Sequence, residues 1–448
     1  MSGAALDSPF ALTPTAIAAA VRAQQTDMVR TLNGFVRAVS PSGAEQPAAE
    51  FMEEALLAIG LSCDRIALRS QDLKDWALYS PACCADGGRY NLLAVHEPRS
   101  EGGRSVLFNG HLDVVPTGPH ELWRHPPFEP HLEDGWLYGR GAGDMKAGIV
   151  CTLAAFKALR ALGVAPAGRV GFNAVLEEES TGNGALATVV ALRQAIDAAR
   201  MASFDLVLIP EPLGEQMISA QVGVLWLNIE LTGRPAHAAY MSSGASAIEA
   251  GIAVIADLKR LEAQWNAPDQ RHPLYRDHGH PINFNIGRID GGEWNSSVPC
   301  RCTLGVRIGF YPGIPIADVK RQVEDCVTAT LARLDGGLSL RFGYEGFQAP
   351  GCEFDLDGEG LRCLAVAHRK AHGLELGRAA TTATTDARHF KYILDAPVTC
   401  FGPLARNIHG VDEAVSLDSM LRVTTTLAQV LHDWCGVEPL AGLARSDA

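Results

Sequence analysis

Short apolar runs that stop in histidine, aspartate or glutamate recur along this chain, and segments of helix length separate them. The runs cover residues 91–95, 105–108, 170–176, 206–209 and 396–401. The helical stretches cover 147–162, 360–372 and 417–434. Alternation of this kind predicts an α/β fold, a mixed and largely parallel sheet with helices packed on its faces. Two further helices are expected ahead of it, over 13–39, closed by the breaker Ser40-Pro41-Ser42-Gly43, and over 46–59, ended by Gly60.

The texture changes near Gln221. Residues 222–231 alternate like a strand, 245–264 read as a helix, 282–289 and 302–308 as strands, and 316–334 as a helix. That order is a compact α+β unit, and it interrupts the α/β pattern as an insertion. The expected division is a first part, 1–219, the inserted unit, 220–345, and a second part, 346–448. At 448 residues the chain has room for two or three domains.

Composition excludes several classes of function. Lys plus Arg number 38 against 51 Asp plus Glu, a formal charge of −13, so a long phosphate backbone is repelled and no nucleic-acid partner is expected. No apolar run approaches the ~20 residues that span a bilayer, and the start lacks a basic segment followed by an apolar one, so neither membrane nor secretion is expected. The eleven cysteines are odd in number and never form a Cys-x-x-Cys pair. Reduced, buried thiols in a cytoplasmic protein fit this usage.

The chemistry-bearing residues follow the apolar runs. Gly110-His111-Leu112-Asp113 comes after 105–108, and Gly143-Asp144-Met145-Lys146 precedes a helix. Glu177-Glu178-Glu179 ends 170–176, Pro210-Glu211-Pro212 ends 206–209, and Ile408-His409-Gly410 comes after 396–401. In open α/β sheets ligands bind beyond the carboxyl ends of strands, so His111, Asp144, one of the Glu177–Glu179 run, Glu211 and His409 can converge there. Taken singly, each has an ordinary reading: a loop histidine, a helix cap, a solvated acid triplet. Together, two imidazoles and three carboxylates without cysteine suit Zn, Mn or Co and can hold two ions, bridged by a carboxylate such as Asp144. The glycines around Asp144 lack the G-x-G-x-x-G spacing, which excludes a dinucleotide loop.

In this order the motifs resemble the M20 family of metallopeptidases and N-acyl amino acid deacylases, in particular its acetylornithine deacetylase and succinyl-diaminopimelate desuccinylase branch. The resemblance runs over nearly the whole chain: Ser40-Pro41-Ser42-Gly43, GHLDVVP, GRGAGDMKAG, LEEESTGNGA, PEP, GRPAHA, TTDARHF and IHGVDE. It implies a zinc-peptidase-like catalytic domain with an inserted lid and dimerisation domain, and two divalent ions. One ion would be held by His111, Asp144 and Glu211, the other by Asp144, Glu179 and His409. Asp113 would orient His111, and Glu178 would be the general base. Where the family usually has Asp-Glu-Glu this chain has three glutamates, and Glu177 aligns with the aspartate. His237 in GRPAHA matches an oxyanion-binding histidine that neighbouring subunits often supply. Asn295 and Arg307 match substrate contacts on the lid, and Arg388 matches a clamp for a substrate carboxylate.

The implied reaction is hydrolysis of a small N-acyl amine, an N-acyl amino acid above all, in a cytoplasmic homodimer. A dipeptidase or aminopeptidase, a deformylase acting on a non-peptide amide, and a metal-binding scaffold without turnover are the alternatives.

Overall fold

The computed structural model describes residues 12–99, 102–334 and 336–440. Its main sheet has six strands in the order Cys63–Ala67, Tyr90–His96, Val170–Val175, Val106–His111, Val207–Ile209, Val398–Cys400. The last four run parallel, and Tyr90–His96 runs against both its neighbours. Val106–His111 and Val170–Val175 are buried along their whole length, which is why they read as unbroken apolar runs.

The inserted unit is antiparallel throughout. Its strands lie in the order Phe284–Gly291, Arg301–Phe310, Gly223–Thr232, Ser339–Gly343, with Gln348–Ala349 also on Gly223–Thr232. Gly223–Thr232 alternates because one face packs on the helices Ala247–Trp265 and Ile316–Ala332 while the other turns toward the main sheet's edge. Two separate cores result. One gathers residues from 17 to 218 and from 352 to 435; the other runs from 220 to 349 and adds Ala380. The two chain connections between them lie side by side, with Gln221 paired to Cys352 and Val224 to Ala349.

The N-terminal helix expected over 13–39 is two helices, Pro14–Ala23 and Gln25–Arg37, that meet at Gln24. Helix Asn183–Asp197, strand Gln216–Gln221 and helix Ala387–Leu394 add to the expected pattern. All eleven cysteines are unpaired, and no helix among the described residues is long and apolar enough to cross a membrane.

Candidate active site

His111 is the last residue of its strand. Glu178 and Glu179 lie just past Val170–Val175, and Glu211 just past Val207–Ile209. Asp144 lies in the irregular turn Ala142–Lys146 ahead of helix Ala147–Ala161. His409 comes from a loop between two short strands, Ala405–Arg406 and Ala414–Ser416, and takes a left-handed backbone, φ 62°. All of these meet at the carboxyl edge of the sheet.

The geometry centres on Asp144. Its Oδ1 is 3.0 Å from His111 Nε2, and its Oδ2 is 3.3 Å from His409 Nε2. His409 Nε2 is also 3.0 Å from Glu179 Oε2. Donor atoms of His111, Glu178 and Glu211 lie within 4.8 Å of one another, and so do those of His111, Asp144 and Glu179. The set can therefore hold two ions through shared residues.

Asp113 ties this centre together. Its carboxylate accepts from Ser42 Oγ at 3.0 Å and from the backbone N–H groups of Glu178 and Glu179 at 3.1 Å each. Its own carbonyl lies 2.9 Å from His111 Nδ1, which leaves Nε2 facing Asp144. Glu177 turns the other way. It pairs with Arg89 and accepts from Thr181 Oγ1 at 2.7 Å.

Sequence reasoning passed over two buried acids. Glu413 accepts from the backbone N–H groups of Gly143 and Asp144 at 2.9 and 3.0 Å and pairs with buried Arg140, so it fixes the turn that presents Asp144. Its place in the IHGVDE stretch was the only signal. Asp386 is 0% exposed behind Glu178 and takes one hydrogen bond, from Asn109 Nδ2 at 3.3 Å. Burial pushes its carboxyl up to about 6, partly offset by Arg388.

Carboxylates crowd the centre without a Lys or Arg ligand among them. Burial, then the Asp386 charge, pushes Glu178 well above its ordinary value. Burial and the neighbouring acids Asp144 and Glu179 do the same to Glu211, against the pull of His111. Burial opposes a charge on His111, but the hydrogen bond to Asp144 and the surrounding acids outweigh it and raise its pKa. His409 rises to about 11: burial works against it, and Asp144 and Glu179 prevail. Buried like charges that only two imidazoles can offset are the environment a divalent cation relieves, and the donors fit such a cation.

A cleft of about 440 Å³ separates this centre from the inserted sheet. Glu178, Glu179 and His409 line one wall; Trp226, Asn228, Asn285, Arg288, Arg307, Glu345 and Phe347 line the other. Arg307 donates to the Thr382 carbonyl at 3.3 Å and has no carboxylate partner among the described residues; burial lowers its pKa. Arg388 does not reach the cleft. It is 0% exposed, donates to the carbonyls of Thr385 and Thr181, and sits against the Phe347 ring. His237 and Asn295 lie on two exposed loops of the inserted unit, clasped by Ala238 N–H to Ser296 O at 2.9 Å and Val298 N–H to Ala236 O at 2.8 Å. Neither lines the cleft. Beside them Tyr240 and Trp294 are 71% and 72% exposed.

This arrangement matches known proteins along most of the chain. Residues 107–433 carry the signature of peptidase family M20/M25/M40, and the chain belongs to that family of amide-bond hydrolases. It is 29% identical over 392 residues to a succinyl-diaminopimelate desuccinylase of Cupriavidus taiwanensis, covering 86% of this chain and 92% of the relative. It is 28% identical over 356 residues to the N-formyl-4-amino-5-aminomethyl-2-methylpyrimidine deformylase of Bacillus subtilis, covering 74% and 79%. Human carnosine dipeptidase 1 shares the fold, with a TM-score of 0.76 at 17% identity over 95% of this chain and 99% of that one.

Proposed function

We propose that the protein hydrolyses the amide of a small N-acyl amine, an N-acyl amino acid above all, at the centre beneath the inserted unit. The observation that carries this reading is the convergence on His111 of Glu178 and Glu211 and of Asp144 and Glu179, with His409 meeting Asp144 and Glu179. Residues 1–219 and 346–448 form the catalytic domain, and 220–345 the lid.

His111, Asp144 and Glu211 would hold one divalent ion, and Asp144, Glu179 and His409 the other. Zinc is the expected metal, with cobalt or manganese as substitutes. When bound, the ions supply a lowered water pKa and a Lewis acid for the carbonyl. Glu178 takes the proton from the attacking water and delivers it to the departing nitrogen. A pKa raised by burial suits it to both transfers. Asp113 fixes the tautomer of His111, and Arg307 takes a carboxylate of the substrate, a role supported by its having no carboxylate partner among the described residues. His237, Asn295 and the exposed Tyr240 and Trp294 form the face through which two copies associate in the cytoplasm. His237 then reaches the oxyanion of the partner's site. Arg388 packs the wall beneath Phe347.

Release of primary amine by the purified protein tests the reading, with zinc, cobalt or manganese and again after chelation. The substrates are N-acetyl, N-succinyl and N-formyl amino acids beside unblocked dipeptides. Chelator-sensitive release from the blocked compounds is expected. Release from dipeptides alone would make the protein a peptidase, and silence from all with metal bound would leave a scaffold.

A further inference from the structure

The cleft face of the inserted sheet carries two charges that the mechanism does not use. Strand Phe284–Gly291 contains a β-bulge: Ile286 pairs with Val306 and Arg288 with Gly305, which leaves Gly287 as an extra residue. One extra residue inverts the side-chain parity beyond it. Were Gly287 paired in a regular ladder, Gly287 would face Gly305 and Arg288 would face Leu304, toward the helices; bulged out, Gly287 lets Arg288 join Asn285 and Arg307 on the cleft wall. Gly305 makes the seat, since a Cβ there would lie 3.1 Å from Arg288 Cβ and 3.6 Å from its Nε.

Across the sheet from Arg288 come Gly305, Asn228 and Gly343, and Glu345 follows two residues past Gly343. Asn228 Nδ2 donates to Glu345 Oε1 at 3.0 Å. One row further from the cleft, Glu230 has its own cation, accepting from Arg341 Nε at 2.9 Å. The Arg288 row is different. Arg288 has no ion pair or hydrogen bond among the described residues, and Glu345 has only the amide.

We infer that Arg288 and Glu345 together recognise the far end of the substrate, a zwitterionic head group that carries a carboxylate beside an ammonium. A tail with two negative charges meets Glu345, and one with two positive charges meets Arg288. A neutral tail covers both and pairs neither, so it forgoes the charge-assisted hydrogen bonds that a tail of both signs makes with these exposed side chains. Only a group of both signs satisfies the whole row. This inference rests on the amide-hydrolase reading and extends it by naming what lies opposite the scissile bond.

The test uses the metal-loaded protein and four compounds sharing the best-accepted acyl group: Nε-acyl-lysine, N-acyl-aminocaproate, N-acyl-cadaverine and N-acyl-pentylamine. Nε-acyl-lysine should exceed each of the others in kcat/KM by about tenfold or more, chiefly through KM. Arg288→Met should erase its advantage over the cadaverine derivative, and Glu345→Gln its advantage over the aminocaproate derivative. Equal kcat/KM for all four tails, or an advantage that survives both substitutions, would overturn the inference. No hydrolysis of any of the four while N-acyl amino acids are cleaved would overturn the inference alone; silence from the N-acyl amino acids as well would bring down the amide-hydrolase reading beneath it.

Discussion

The two walls of the cleft are built on opposite principles. On the catalytic side the frame is held from several directions: Asp113 accepts three hydrogen bonds, and Glu413 locks the turn of Asp144 from two backbone amides and Arg140. On the inserted side the polar cleft residues are half-buried or exposed, and Arg288 and Arg307 have no carboxylate partner among the described residues. The contrast separates two tasks. A centre that gathers like charges needs a rigid frame to keep them close, whereas a surface that reads a substrate keeps its pairing capacity free.

The largest expected effect tests the catalytic wall. Glu178→Gln should lower kcat about 10³-fold or more while metal analysis finds the ions retained; appreciable turnover would remove Glu178 as the base. Glu413→Gln leaves Arg140 buried without its counter-charge and should cost about 3–5 kcal/mol in thermal or denaturant unfolding. An unchanged transition would show that the frame does not depend on that pair. His237→Ala belongs to the exposed side. It should lower kcat about 100-fold yet leave stability within about 0.5 kcal/mol, and mixing it with Glu178→Gln should restore part of the activity if a second copy delivers the histidine.

Asp113→Asn should weaken metal affinity by about 10–100-fold in chelator competition, because the support of His111 and of the acid turn loses its charge. The smallest effect is on pH. Burial and the Asp386 charge both raise Glu178, so Asp386 helps to set where the acid limb of kcat/KM lies. Asp386→Asn removes one like charge, lowers the Glu178 pKa and moves that limb to lower pH. An unmoved limb would show that burial alone sets it.

Much of the catalytic wall was legible in the sequence because its signals are local. A buried parallel strand reads as an apolar run, and its end is where a ligand site forms, so His111, one of Glu177–Glu179 and Glu211 could be placed from their neighbours alone, while the choice of Glu178 and Glu179 came with the family resemblance. What stayed hidden depends on tertiary packing. Helix Asn183–Asp197 was passed over because Thr181-Gly182-Asn183-Gly184 reads as loop. In the fold Gly184 is there for closeness, since a Cβ would fall 1.9 Å from the Leu176 carbonyl oxygen. The inward aim of Arg388 follows from the packing of a short helix, and the presence of Arg288 in the cleft follows from one extra residue in a strand. Neither leaves a trace in periodicity.

The paired crossings at Gln221–Cys352 and Val224–Ala349 have an evolutionary consequence. Because the insertion leaves and re-enters through one narrow ribbon and has a core of its own, it behaves as an exchangeable cassette. Relatives that keep His237 could trade or drift within the rest of the segment between the crossings and acquire new substrates while the floor of His111, Asp144, Glu178, Glu179, Glu211 and His409 stays untouched. A chimera carrying another member's cassette on this chain's floor would be the laboratory form of that exchange.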